Sequence, residues 1–147
     1  MQAEQRHSEE VDRVLERLLL RDRDSIRGLG VQIDCCVMLS DYRGALALWE
    51  AHPELQAASP PHVGRRVASA MANLGDTESA FAFASKLLER PDLDGLTRMA
   101  LVEVCGITRF YESDYIGAEI FFRRTIEISR EISLTNRAFA AFYNRGL

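Results

Sequence analysis

The chain has 147 residues, of which 47% are hydrophobic and 27% charged, and its net charge is −4 at neutral pH. That balance is ordinary for a soluble globular protein, and the length suits one domain or about four helical repeats of 34–40 residues. The negative sum offers no global attraction to nucleic acid or to an anionic membrane, so direct nucleic-acid binding is not expected.

Of the 18 basic residues only Lys86 is a lysine, which a GC-rich bacterial genome explains more simply than any site does. No stretch reaches the ~20 apolar residues of a membrane span. The polar, acidic start from Met1 to Glu10 is no signal peptide. Cys35, Cys36 and Cys105 are an odd number without secretory features and read as buried thiols in a reducing cytoplasm. A cytoplasmic location is expected.

In chain order, residues 1–7 are polar, and Ser8 can cap a helix whose first turn holds Glu9 and Glu10. Val11, Val14, Leu15, Leu18 and Leu19 follow the i, i+3, i+4, i+7 pattern of one buried face. After the charged break Arg21–Asp24, Ser25 can cap a helix carrying Ile26, Leu29, Ile33, Cys36 and Val37. Asp41 opens another with Ala45, Leu46, Leu48 and Trp49, stopped by Pro53. Residues 54–61 are expected to be irregular, ending in Ser59-Pro60-Pro61, where proline fits the first turn of the next helix.

Val63, Val67, Ala68, Met71 and Leu74 make an apolar face up to Gly75. The helix opened by Asp76 carries Ala80, Phe81, Phe83, Ala84, Leu87 and Leu88 before Pro91 halts it. Asp94 caps a long helix through Met99, Val102, Cys105, Gly106 and Phe110. The turn at Ser113-Asp114 leads to Ala118, Phe121, Phe122, Thr125, Ile126 and Ile128, and Thr135 or Asn136 starts a last helix with Phe139, Phe142 and Tyr143. About eight helices and no strand-like alternation predict an all-α fold, with short connections making successive helices antiparallel neighbours.

One turn recurs. Ser40-Asp41-Tyr42-Arg43-Gly44-Ala45, Gly75-Asp76-Thr77-Glu78-Ser79-Ala80 and Ser113-Asp114-Tyr115-Ile116-Gly117-Ala118 each close one helix and open the next, with their alanines 35 and 38 residues apart. A near-constant period with two helices per unit marks a helical repeat array. The expected organisation is an N-terminal helix over 1–24 and repeats over 25–147, at 25–58, 59–93, 94–133 and a partial unit at 134–147.

These residues resemble the tetratricopeptide repeat (TPR) family. The third unit fits through Val102, Cys105, Gly106, Ser113-Asp114-Tyr115, Ala118, Phe122 and Thr125, and the second through Val67, Ala68, Met71, Gly75-Asp76, Ala80, Ala84 and Leu87. The first fits only in its turn and second helix, through Ala45 and Trp49. The resemblance covers roughly residues 26–147 and implies a right-handed superhelix of about four antiparallel hairpins, a TPR-like α-solenoid. It also implies that the first helix of each unit lines a concave groove for a protein or peptide partner. The inner positions would be Arg27, Val31, Asp34, Val37 and Met38; then His62, Arg65, Arg66, Ser69 and Asn73; then Glu103, Val104, Ile107, Phe110 and Tyr111. Some family members clamp a terminal carboxylate at positions matching Gly30, Asp34, Arg66, Ala100 and Val104, of which only Arg66 is chemically suited. A carboxylate-clamp co-chaperone is therefore disfavoured.

Chemistry is hard to find. Gly28-Leu29-Gly30 follows no strand and makes no phosphate loop. His7, His52 and His62 lack metal-ligand spacing, and paired carboxylates such as Asp92 and Asp94 fall at helix starts. No catalytic residue, metal or cofactor is expected. The leading reading is a non-catalytic peptide-binding scaffold, part of a larger bacterial regulator. The alternatives are the ligand- or peptide-sensing half of a transcriptional regulator and, remotely, an enzyme on a helical scaffold. The partial fourth unit leaves Phe139, Phe142 and Leu147 where a polar cap belongs, so either the chain continues or that face pairs with a second copy. Burying ~300 Å² of apolar surface there is worth about 7–8 kcal/mol before association costs.

Overall fold

The recurring turn has one geometry in all three places, and it organises the backbone of the computed structural model, which describes residues 3–19 and 25–145. The small residue of each copy is left-handed, with φ of 60° at Ser40, 85° at Gly75 and 63° at Ser113. Its own N–H donates to the carbonyl three residues back, and the aspartate N–H reaches five back: Asp41 to Cys36 at 2.7 Å, Asp76 to Met71 at 3.1 Å, Asp114 to Arg109 at 2.9 Å. This is the Schellman arrangement, which satisfies the orphan carbonyls of a helix end. Each aspartate then caps the following helix, accepting from Gly44, Ser79 and Gly117 N–H at 2.9, 3.2 and 2.9 Å.

The conformation costs a serine more than a glycine. Ser113→Gly is therefore expected to raise stability by about 0.5–1 kcal/mol, and Gly75→Ala to lower it by about 1 kcal/mol. Thermal midpoints of the two variants measure both signs.

Among the described residues the chain is all-helical: α1 (Ala3–Leu19), α2 (Ile26–Met38), α3 (Tyr42–Ala51), α4 (Pro53–Ala58), α5 (Pro61–Asn73), α6 (Thr77–Leu88), α7 (Gly95–Tyr111) and α8 (Tyr115–Arg145). It divides into two compact units, Met1–Ser59 and Pro60–Leu147.

In the first unit α2 lies against α3, and α4 touches both. Ser25 caps α2, its hydroxyl accepting from Gly28 N–H at 3.0 Å. Three expectations need correction. Helix α1 is already formed at Ala3, well before Ser8, and Val14, assigned to its buried face, is 49% exposed. The 54–61 stretch is not all irregular, because Pro53 both stops α3 and starts α4 at a position needing no N–H donor. Leu55 is fully buried there, the Gln56 amide donates to the Trp49 carbonyl at 2.8 Å, and Ser59 ends the turn in a left-handed conformation.

In the second unit helices α5 to α8 alternate in direction. Gly64 of α5 faces Leu87 of α6, Ser85 of α6 faces Cys105 of α7, and Gly106 and Gly95 of α7 face Phe122 and Ile132 of α8. Helix α5 also lies against α7. The core joins Ala68 and Ala72, Ala80, Ala84 and Leu87, and Leu101, Val104 and Cys105, with Phe81 and Phe121 packed against it. The alanines let helix backbones approach, and the two rings meet edge to face at 5.8 Å.

Helix α8 also departs from expectation. No new helix begins at Thr135 or Asn136; α8 runs unbroken to Arg145. From Ala118 to Arg145 there is no glycine or proline to interrupt it, and the Thr135 hydroxyl donates back to the Glu131 carbonyl at 2.9 Å, inside the helix. Leu74, Phe110 and Ile126, placed on apolar faces by periodicity, are exposed.

Candidate functional site

Helix α5 begins at Pro61, with Pro60 at its cap, and its inward stripe is Val63, Val67, Ala68 and Ala70, all fully buried. Arg65, Arg66 and Ser69 fall one step around the helix, at the i, i+1, i+4 positions of an adjoining face. Helix α7 is fixed at its start by Asp94, which accepts from Thr97 N–H at 2.7 Å. Its Ala100, Glu103, Val104 and Ile107 likewise share a face. The two faces meet in a depression of about 180 Å³ lined by Arg65, Arg66, Ser69, Ala100, Glu103, Val104 and Ile107. Val104 is buried and forms the floor, Ala100 and Ile107 are half-buried, and Glu103 stands exposed at the rim. Small side chains at 69 and 100 leave the space open.

Arg65 is the unusual member. Its Nε is buried and has no hydrogen-bond partner among the described residues. A buried donor left unmade costs about 1–3 kcal/mol. Arg65 does act on Asp94: the Thr97 backbone N–H, then the Thr97 side chain, and more weakly the charges of Arg65 and His62 hold the Asp94 carboxyl below its ordinary range.

The other expected groove residues lie further along the same helices. Asn73, one turn past Ser69, donates to the Ser69 carbonyl at 2.8 Å. Phe110 and Tyr111 are at the far end of α7 and do not line the depression; they are 52% and 65% exposed, and Phe110 packs edgewise on Tyr111 and Tyr115, with ring centroids at 6.2 and 5.5 Å. Arg109 beside them is committed to structure, its guanidinium 3.7 Å over the Phe81 ring and paired with Glu112 at 3.1 Å. Of the expected self-association residues, Phe139 and Phe142 lie on α8 with side chains outside the described residues, and Leu147 lies outside them altogether.

The cysteines offer no activated thiol. Burial pushes all three up, helped at Cys35 by Asp34 and Asp12 and at Cys36 by Asp41. Only Cys105 is buried; Cys35 and Cys36, expected to be so, are half-buried. Among the described residues no group of three or more His, Cys, Asp or Glu side chains converges as a metal site requires, and no helix is long and apolar enough to cross a membrane.

The TPR-style alignment named every residue lining the depression, Ala100 through the clamp positions and Glu103 through the inner face. What no sequence pattern signals is that Arg65 Nε is buried without a partner, because that depends on which groups the folded chain brings near it. No family model, curated protein or solved structure matches the chain.

Proposed function

We propose that the protein is a non-catalytic, partner-binding scaffold of stacked helix hairpins, similar in kind to the TPR proteins, and that the face formed by α5 and α7 receives a peptide segment. The observation that carries this is the depression between the two helices that open successive hairpins, with a basic wall and an apolar floor. Its volume of about 180 Å³ is below the ~300–1,000 Å³ of small-molecule sites. That size suits one or two side chains of a longer ligand and favours peptide binding over small-molecule sensing. A place within a larger bacterial regulator accords with such a module.

Selection of a displayed random-peptide library on the full chain tests the reading. Peptides so obtained are expected to lose at least ~100-fold in affinity for Arg65→Glu combined with Arg66→Glu, about 2.7 kcal/mol. Unchanged binding to that double variant would remove the groove reading.

Self-association through the far end of α8 belongs to the same proposal. Ile132 faces Gly95 at the start of α7, so residues 133–145 run about 20 Å further as a helix, at ~1.5 Å per residue. Ser133 to Arg137 are exposed, and an isolated helix of this length is marginal in water. A second copy laid antiparallel would cover it. Light scattering is expected to show a dimer that Phe139→Ser with Phe142→Ser converts to a monomer; a wild-type monomer at high concentration would exclude it.

A further inference from the structure

We infer that the outward face of α8 is a coiled-coil seam joining two copies of this chain antiparallel, with Ile116 of one copy against Leu134 of the other. This rests on the self-association of α8 proposed above and adds the face, direction and register of the contact. Helix α8 meets α7 through Phe122 and Ile132, which face Gly106 and Gly95, and it buries Ala118 and Ile128. Around the helix from these, the opposite face carries Ile116, Ile120, Arg123, Glu127, Arg130 and Leu134, all exposed. Their spacing alternates four and three residues, the a/d repeat of a left-handed coiled coil. Ile116, Ile120 and Leu134, at 77%, 64% and 64% exposed, are the apolar ends of a seam whose centre is charged.

Charge selects the occupant and its direction. Between Ile116 and Leu134 the helix has three arginines and three glutamates, so two copies of this segment do not repel although the whole chain is negative. Laid antiparallel about Thr125, the helices set Arg123 of each copy level with the partner's Glu127, and this layer occurs twice. Ile120 then meets the aliphatic stem of the partner's Arg130, whose charged head reaches water. A parallel pair in register would instead set Arg123, Glu127 and Arg130 each against its own copy, like charge on like charge. Arg123 and Glu127 already have partners on their own helix, Glu119 at 2.6 Å and Arg124 at 3.1 Å. Those pairs are at least half exposed and worth little, and a guanidinium with five donors and a carboxylate with two oxygens can each take a second partner. On one flank Ile126, 51% exposed, meets its own copy beside the dyad. On the other, Arg124 approaches its copy with its charge offset by Glu127 and Glu131 of the same helix, at 3.1 and 3.8 Å. Beyond Leu134 each helix continues about 16 Å to Arg145, past the level of the partner's α7–α8 turn, where Phe110, Tyr111 and Tyr115 are exposed.

The test is sedimentation equilibrium of the full chain and of two charge variants. Wild type is expected to dimerise, and Arg123→Glu and Glu127→Arg, each alone, to weaken the dimer at least ~100-fold by setting like charges level at both symmetric layers. An equimolar mixture of the two variants should dimerise again within about ten-fold of wild type, because both layers then pair opposite charges; this recovery also shows that neither variant is misfolded. Direction is read from a nitroxide on Ser133→Cys in a chain carrying Cys35→Ser and Cys36→Ser, with Cys105 left buried. The antiparallel register places the two labels about 25 Å apart, against about 10 Å for a parallel pair. The shorter distance would overturn the register. A wild-type dimer that both charge variants keep, or variants that stay monomeric when mixed, would overturn the seam and leave self-association through the far end of α8 standing. A wild-type monomer at high concentration would overturn the self-association reading and this inference with it.

Discussion

Gly106→Val is expected to destabilise the protein by about 2–3 kcal/mol, measured as a lower midpoint in chemical denaturation. Mid-helix glycine is normally a weakness, and replacing it with valine recovers about 0.4 kcal/mol of helix propensity. Here contact outweighs propensity. A Cβ at Gly106 would stand 2.7 Å from Cε1 of Phe122 and 3.3 Å from Cβ of Phe121. Phe121 cannot retreat freely, because its ring packs edgewise on Phe81, and Phe81 is itself covered by Arg109. Inserting side-chain volume into such a contact typically costs about 1–3 kcal/mol, and valine's branch at Cβ puts the demand at the upper end. An unchanged midpoint would mean that α7 and α8 lie further apart than described.

Leu101→Ala is expected to cost more, about 3–4 kcal/mol, since the site cannot collapse around the lost methyl groups. Leu101 is fully buried and shares its cluster with Ala68, Ala72, Ala80 and Ala84. Those neighbours are too short to reach into the vacated volume without moving helix backbones. Val104, one turn further along α7, floors the depression, so loosening Leu101 should also weaken binding of a selected peptide. That loss should leave the salt dependence of binding unchanged, because no charge is removed. Charge reversal at Arg65 and Arg66 should instead flatten the salt dependence. A Leu101→Ala variant as stable as wild type would contradict the burial assigned to this residue.

Local rules made much of this protein legible in its sequence. Ser25, Asp41, Asp76, Asp94 and Asp114 cap helices because a short oxygen-bearing side chain before an apolar-periodic run has little else to satisfy. The three left-handed turns follow from the same few residues. The face holding Arg65, Arg66 and Ser69, and that holding Val104 and Ile107, follow from helical spacing alone. Where the expectations departed, distant contacts decided. Periodicity assigned α7 one stripe through Met99, Val102, Cys105 and Phe110. Helices α5, α6 and α8 all contact α7, so Thr97, Leu101, Val104 and Thr108 are buried too, while Phe110 at its end is not. Leu55 draws a six-residue helix out of a stretch that composition marks as loop. The sequence by itself determined where α2, α3, α5, α6, α7 and α8 start and where the three turns lie, because capping and helical period act within a few residues. Only the tertiary structure decided which faces are enclosed and that Arg65 Nε has no partner, because burial depends on helices brought together from separate parts of the chain.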